Sequence, residues 1–210
     1  MSAAAVAVSL AVSACGSGSA QDANEPSGSF PVEVTRASWQ PAQRLAEQTH
    51  MVITVRNTGT KMIPNLAVTI VDPTLKYPTS AQAFGRNVSG AGETAGLAST
   101  SRPVWIIDRP PGPCGYGCEF GGPGGAVTAY ANTWALGPLQ PNQSATFKWT
   151  LTATKPGSYV IQYQVAAGLN GKARAVLRSG GRPWGTFHVR VSSQPARSYV
   201  NNAGQVVKLP

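Results

Sequence analysis

ATFKWTLTAT (145–154) shows most clearly the pattern that decides the fold. Phe147, Trp149 and Leu151 alternate there with a lysine and two threonines. Because successive side chains of a β-strand point to opposite faces, this alternation predicts a strand with one buried and one exposed face. Strands of this kind are what two packed antiparallel sheets require.

The same alternation recurs along much of the 210-residue chain. In SYVIQYQVAA (158–167), Gln162 and Gln164 are predicted to point outward between buried tyrosine and aliphatic side chains. GTFHVRVS (185–192) follows the same rule, and only PAQRLAEQTH (41–50) could hold a helical turn. The other predicted strands cover residues 30–39, 50–60, 65–72, 103–108 and 127–136. The predicted fold class is therefore all-β, an antiparallel β-sandwich.

Two stretches carry a more specific resemblance. VITVRNTGTKMIPNLAVTIVD (52–72) and LGPLQPNQSATFKWTLTATKPGSYVIQYQV (136–165) resemble immunoglobulin-like repeats of bacterial surface proteins, including CARDB-type cell-adhesion modules. The resemblance implies an immunoglobulin-like β-sandwich over residues 30–192. It also implies that Tyr159, just after a glycine-containing turn, ties that turn down as a tyrosine corner. Modules of this kind adhere, space or bind, and the fold alone fixes none of these roles.

The N-terminus carries the stretch AVSACGSGSA (11–20). The apolar run that precedes its cysteine is too short to span a bilayer and has the length of a signal-peptide core. VSAC resembles the lipobox of bacterial lipoproteins. This implies a signal peptide over residues 1–14, a palmitate-type diacylglyceryl lipid on Cys15, and an extracytoplasmic domain anchored to the outer face of the cytoplasmic membrane. Residues 15–29 are then the lipidated cysteine and a flexible tether. The alternative is a buried N-terminal strand with a free cysteine.

The net charge of +9 belongs to the C-terminal part of the chain. Residues 1–119 contain eight basic and all eight acidic residues, whereas residues 120–210 contain nine basic residues and no acid. This asymmetry favours an anionic envelope polymer or membrane surface as partner, and the alternative is a basic face that is merely solvated. A lipid-anchored protein outside the cell is not expected to bind nucleic acid. The predicted basic rim comprises Lys172, Arg174, Arg178, Arg182 and Arg190, with Trp184 beside it.

Residues 73–126 exceed what a minimal sandwich needs and are predicted to be a long Gly/Pro-rich insertion. Cys114 and Cys118 lie in it as CGYGC, where the glycines allow a tight disulfide-closed turn. Thiol–disulfide redox chemistry by this pair is the alternative, although no helix follows as in CxxC enzymes. The aromatic side chains predicted to form a binding surface on this insertion are Trp105, Tyr116 and Phe120.

No constellation of residues predicts an active site, a metal site or a cofactor site. His50 and His188 alternate outward on their strands, and the carboxylates show no spacing that suggests acid–base catalysis. Zinc would need more ligands than the chain offers around its cysteines. The resemblances therefore imply an envelope lipoprotein of actinobacterial type, and the residues predict a non-enzymatic module that binds a protein partner or an anionic envelope polymer. A passive spacer protein is the alternative, and residues 193–210 form a tail or an edge strand.

Overall fold

The computed structural model describes residues 24–73, 83–85, 103–112, 132–200, 202 and 206–208, and these contain strands but no helix. The strands in chain order are β1 (Gly28–Ser38), β2 (Ala42–Leu45), β3 (Gln48–Asn57), β4 (Ala67–Val71), β5 (Phe84–Gly85), β6 (Trp105–Arg109), β7 (Thr133–Ala135), β8 (Ser144–Ala153), β9 (Gly157–Ala166), β10 (Ala173–Leu177), β11 (Trp184–Pro195), β12 (Ser198–Val200) and β13 (Val206–Lys208).

The strands form two packed sheets and one small hairpin. One sheet has the order β10-β1-β3-β8-β6-β5, the other has the order β2-β11-β9-β4-β7, and β12 pairs with β13. The series β1-β3-β8-β6 and β11-β9-β4 reproduce the two sheets of an immunoglobulin domain, ABED and GFC. The predicted all-β, immunoglobulin-like sandwich is therefore confirmed. The sheets are mixed, because β1–β10, β2–β11 and β5–β6 pair in parallel.

The centre of the core is the strand pair β3–β8. Phe147, Trp149 and Leu151 are fully buried, as their alternation predicts, and the register sets Trp149 opposite Met51 and Phe147 opposite Ile53. Each such side chain contributes about 1.5–3 kcal/mol when it is removed from water. The inward residues of β9 and β11 close the core from the other sheet.

A cluster of aromatic side chains joins the two sheets at one end of the core. Trp105 lies 4.8 Å from Trp39 and 5.8 Å from Phe84 between ring centroids, and it is fully buried. Its indole Nε1 donates a 2.7 Å hydrogen bond to Oε1 of Gln43 in the opposite sheet. The prediction that Trp105 is part of an exposed binding surface is wrong, because its strand β6 pairs with β8 and turns the ring into the core.

Part of the predicted insertion, residues 73–126, belongs to the six-stranded sheet. Both β5 and β6 come from within this stretch, and they extend the six-stranded sheet beyond β8. Strand β6 coincides closely with the strand predicted over residues 103–108, whereas β5 is only two residues long. A strand as short as β5 shows no alternation that the sequence could reveal.

Two turns at strand ends are fixed by side-chain hydrogen bonds. Asn57, in the NTG turn after β3, is buried; its Nδ2 donates to the carbonyls of Lys61 and Leu139, and its Oδ1 accepts from the Gly59 N–H, each at 2.9 Å. The Tyr159 hydroxyl donates to the Pro156 carbonyl at 3.1 Å and lies 3.3 Å from that of Lys155. This contact confirms the tyrosine corner.

The prediction that residues 25–29 are part of a flexible tether is wrong, because these residues belong to the sandwich. The Glu25 carboxylate is buried and accepts hydrogen bonds from the N–H groups of Asn170, at 2.6 Å, and Ala173. Gly168 lies so close that a Cβ there would collide with this carboxylate. Strand β1 begins three residues later and pairs with β10.

The structure also differs from the sequence-based predictions for residues 41–50 and for the C-terminal tail. Residues 41–50 form no helical turn: β2 pairs in parallel with β11, and Ala46, with a φ of 59°, turns the chain toward β3. In the tail, β11 continues to Pro195, and β12 and β13 pair only with each other among the described residues.

Candidate functional site

The outer face of the five-stranded sheet carries a hollow of about 320 Å³. We call it the tryptophan hollow, and it is lined by Val71, Gln162, Tyr163, Gln164, Arg182 and Trp184. Three large hydrophobic side chains are exposed among the described residues, namely Trp184 at 59%, Val71 at 49% and Met62 at 46%. Two of the three therefore flank this single hollow, which makes it a local apolar feature rather than scattered exposure.

Cross-strand register explains how residues far apart in sequence meet here. Trp184 of β11 lies opposite Gln164 of β9, and Gln164 lies opposite Thr69 of β4. In the next outward row, Gln162 lies opposite Val71. Directly opposed side chains on one face of a sheet are near neighbours, so the two glutamines form a polar floor between two apolar walls.

Hydrogen bonding and close packing hold the base of the hollow in place. The Val165 N–H donates a 2.9 Å hydrogen bond to the carbonyl of Pro183, which fixes the chain just before Trp184. Tyr163 packs over Gly185, where any Cβ would collide with its hydroxyl, and its ring lies 5.5 Å from that of Phe187. Burial raises the pKa of Tyr163 above 10.0, so this phenol stays protonated at neutral pH.

The polar groups of the hollow are available to a ligand. No hydrogen bond or ion pair engages the side chains of Gln162, Gln164 or Arg182 within the described part of the chain. Gln164 and Arg182 are exposed, and Gln162 is half-buried. Each amide offers both donors and an acceptor, and the guanidinium offers a planar set of donors.

The predicted basic rim does not form one patch. Arg178 and Arg182 share the turn between β10 and β11, which is closed by a 2.7 Å hydrogen bond from the Leu177 N–H to the Gly181 carbonyl. Arg190 lies opposite Ser158, eight residues beyond Arg182 and so about 26 Å away along an extended chain.

The two remaining rim residues lie on another sheet. Lys172 precedes β10, and Arg174 lies within β10 opposite Ser29, at the edge of the six-stranded sheet. All five rim side chains are exposed, yet of these only Arg182 lines the tryptophan hollow.

A second hollow, of about 540 Å³, lies beside the six-stranded sheet. Its basic lining residues are His50, Arg109 and Lys148, and the register places Thr150 between His50 on β3 and Arg109 on β6. Nδ1 of His50 lies 3.3 Å from Oγ1 of Thr150. His50 and His188 are both exposed, as predicted. This hollow has no phenylalanine, tyrosine or tryptophan among its described lining residues.

Several predicted site residues lie outside the described residues, namely Cys15, Cys114, Cys118, Tyr116 and Phe120. The lipid anchor and the disulfide therefore stay predictions. Within the described ranges there is no group of three or more His, Cys, Asp or Glu residues that could hold a metal ion. The same ranges contain no helix long and apolar enough to cross a bilayer.

The sequence already contains a signal for the hollow. Phe187, Val189 and Val191 are predicted to be inward, so Trp184 has the outward parity of its strand. A tryptophan in an outward position is a reason to look for a binding surface among the residues around it. The walls and floor could not be assigned, because the register between β4, β9 and β11 is not visible in the sequence.

Comparison with known proteins identifies no family. No family model matches the sequence, and no curated protein matches it. Among solved structures, the chain is similar to the CARDB domain of a Pyrococcus furiosus protein in complex with di-metal ions, with a TM-score of 0.40 and 13% identity; the match covers 79% of this chain and 94% of that one.

Two larger proteins contain similar regions. Native alpha-2-macroglobulin of Escherichia coli matches with a TM-score of 0.39 and 12% identity over 80% of this chain and 7% of that one. A beta-glucosidase of Listeria innocua in complex with gluconolactone matches with a TM-score of 0.34 and 14% identity over 79% of this chain and 16% of that one. The chain thus spans only a small part of both proteins, and the assignment of the fold rests on its own strand order.

Proposed function

We propose that the protein is a cell-envelope lipoprotein whose immunoglobulin-like sandwich is a non-catalytic module that binds an anionic envelope polymer. The observation that carries the proposal is the tryptophan hollow. An exposed indole, an exposed valine and three unengaged polar side chains converge there on one sheet face. Binding sites commonly combine an apolar surface with a few polar groups that fix the ligand's orientation.

The charge of the surrounding surface supports an anionic ligand. Arg182 lines the hollow, Arg178 shares its turn, and the whole stretch 120–210 lacks acidic residues. Positive charge that is not balanced nearby attracts polyanions and raises their rate of association. A polymer can also contact Arg178 and the tryptophan hollow together, which a small anion cannot do.

The proposed location rests on the sequence around Cys15. Its lipobox-like VSAC and the Gly/Ser-rich stretch that follows support a lipid anchor joined to the sandwich near Glu25. Two acyl chains on one cysteine would give stable membrane attachment, whereas a single chain binds only weakly. Mass spectrometry of the mature N-terminus should find a diacylated or triacylated Cys15, and an unmodified thiol there would exclude the anchor.

Co-sedimentation tests the binding function. The full chain is mixed with membrane-free cell-wall polymer over a series of salt concentrations, and the bound fraction is measured. We expect binding that weakens as salt rises, since screening shortens the range of surface charges to about 8 Å at physiological ionic strength. Arg182→Gln should lower the bound fraction at every salt concentration.

Arg174→Gln is the matched control, because Arg174 is equally exposed but lies in the other sheet. It removes the same charge from the protein as Arg182→Gln. Equal loss of binding in the two variants would show that only net charge matters and would contradict a site at the hollow. Absence of binding at any salt concentration would leave the passive spacer as the better account.

A further inference from the structure

We infer that the tryptophan hollow recognises the sugar units of an acidic polysaccharide, in which a carboxylate-bearing sugar sits against Trp184 and Arg182. This inference rests on the proposed function and narrows the anionic polymer to one chemical class. Polyphosphate, acidic polypeptide and neutral glycan are the alternatives that the chemistry of the hollow disfavours.

The wall favours a ring with an apolar face. A large aromatic side chain exposed at 59% forgoes most of the stabilisation that burial would give it. A pyranose ring presents a face of C–H groups that can cover an indole, and neither a phosphate chain nor an extended acidic peptide offers such a face. Val71 stands across the hollow and can contact the opposite edge of the same ring.

The floor favours a ligand that carries several hydroxyl groups. Gln162 and Gln164 are two residues apart on β9 and therefore point to the same side, about 6.6 Å apart. Each amide can donate to one hydroxyl and accept from another. Both amides are unengaged within the described residues, so ligand binding breaks no protein hydrogen bond there. A polyphosphate has no hydrogen-bond donor for their carbonyl oxygens when it is fully ionised.

The charge favours one carboxylate per bound unit. Arg182 is the single cationic side chain among the described residues that line the hollow. A guanidinium binds a carboxylate through two parallel hydrogen bonds, which adds geometric selectivity to the attraction. A dense polyanion such as polyphosphate would gain more from the dispersed cations elsewhere on the surface than from this single guanidinium.

The size of the hollow agrees with a small cyclic unit. Its volume of about 320 Å³ is at the lower end of the roughly 300–1,000 Å³ that small-molecule sites span. The hollow is open along the sheet face, so a bound sugar can remain part of a longer chain. A polymer can therefore be held by one unit without being cut.

Tryptophan fluorescence of the full chain can test this inference selectively. The four other tryptophans, at positions 39, 105, 134 and 149, are at most 8% exposed, so a ligand-induced change reports on Trp184. The chain is titrated with polygalacturonate, dextran, polyglutamate and long-chain polyphosphate at matched ionic strength. We expect a saturable change with polygalacturonate alone. Trp184→Ala should abolish the signal and, by calorimetry, weaken binding about tenfold, which corresponds to about 1.4 kcal/mol.

Further variants separate the parts of the site. Gln164→Ala and Arg182→Gln should each weaken polygalacturonate binding severalfold, whereas Met62→Ala, a control that removes another exposed hydrophobic side chain, should leave it unchanged. Tight binding of dextran would overturn the requirement for an acidic sugar. Equal binding of all three polyanions, unaffected by Trp184→Ala, would overturn the inference and leave the proposed anionic-polymer function standing. Binding of none of the four would overturn both.

Discussion

At the scale of single residues, Tyr159 links a turn to the core and to the pH dependence of stability. Its hydroxyl donates to the Pro156 carbonyl, and its ring lies 5.1 Å from that of Trp105 between centroids. Burial, and then the nearby Asp72 carboxylate, raise the pKa of Tyr159 above 10.0. The unfolded chain therefore releases this proton at a lower pH than the folded protein does.

We expect two effects of Tyr159→Phe on the free energy of unfolding. At neutral pH, loss of the hydroxyl should lower it by about 0.5–1.5 kcal/mol. Above about pH 10 the wild-type stability should fall, because the contribution of a phenol whose pKa is raised on folding is complete below its unfolded pKa and is lost as the pH rises toward its folded pKa. The stability of the variant should fall less steeply. Urea unfolding at about pH 8 and about pH 10.5 measures both effects. Parallel pH dependence of the two proteins would contradict this role.

The hydrogen bonds of the Glu25 carboxylate fix the N-terminal boundary of the sandwich. Its carboxylate accepts hydrogen bonds from the N–H groups of Asn170 and Ala173, and the N–H of Ala173 lies in the buried part of this site, where water cannot replace the carboxylate. Glu25→Ala should lower the free energy of unfolding by about 1–3 kcal/mol, the cost of leaving such groups unsatisfied. Glu33→Ala is the matched control, because Glu33 is exposed on β1. Equal midpoints of urea unfolding for the two variants would show that Glu25 is dispensable.

Among the elements, strand β2 of the five-stranded sheet is linked to the six-stranded sheet by a side-chain hydrogen bond. Gln43 of β2 is buried; it accepts from the Trp105 indole at 2.7 Å and donates to the Gln40 carbonyl at 2.9 Å. Gln43→Leu keeps a similar volume but leaves the indole N–H without an acceptor. We expect a loss of about 1–3 kcal/mol in the free energy of unfolding.

A double-mutant cycle tests whether that loss arises at the indole. Trp105→Phe removes the N–H, so the further change Gln43→Leu should cost less in that background than in the wild type. Chemical unfolding of the four proteins gives the coupling energy. A coupling energy of zero would place the effect of Gln43→Leu elsewhere, for example in the lost contact with Gln40.

The elements also show how far the sequence predicts the fold. The long strands β3, β8 and β9 are predictable because each has about ten residues and buries one face against a single core. Strands β2 and β10 were missed because they are four and five residues long and pair in parallel with distant strands. Pairing of this kind is set by tertiary packing and leaves no local pattern.

At the scale of the whole molecule, the two outer faces differ in chemical character. The face that contains the tryptophan hollow combines exposed apolar and amide side chains, whereas the polar lining of the hollow beside the other sheet consists of threonines and basic residues, next to Pro110, Gly112 and Leu136. The sequence predicted the outward direction of Gln162 and Gln164 and placed Trp184 near basic residues. It could not show that Val71 joins them, since that depends on the register between β4 and β9.

The positions of the basic residues suggest two separate contributions to the binding of an anionic polymer. The predicted rim of five basic residues is dispersed over both sheets, and only its Arg182 coincides with an exposed aromatic side chain at the hollow. Dispersed charge accelerates the approach of a polyanion and makes binding depend on salt. Selectivity among polyanions must come from the tryptophan hollow. The salt dependence of binding and its selectivity can therefore be measured separately.

Chemical-shift mapping of the full chain during titration with polygalacturonate can locate the proposed polysaccharide site. We expect the side-chain amide signals of Gln162 and Gln164 and the indole N–H signal of Trp184 to shift together and to saturate with one dissociation constant. The backbone signals of Thr146 and Lys148, beside the second hollow, should remain unchanged. Shifts confined to the second hollow, or uniform small shifts at all basic residues, would contradict a polysaccharide site at Trp184.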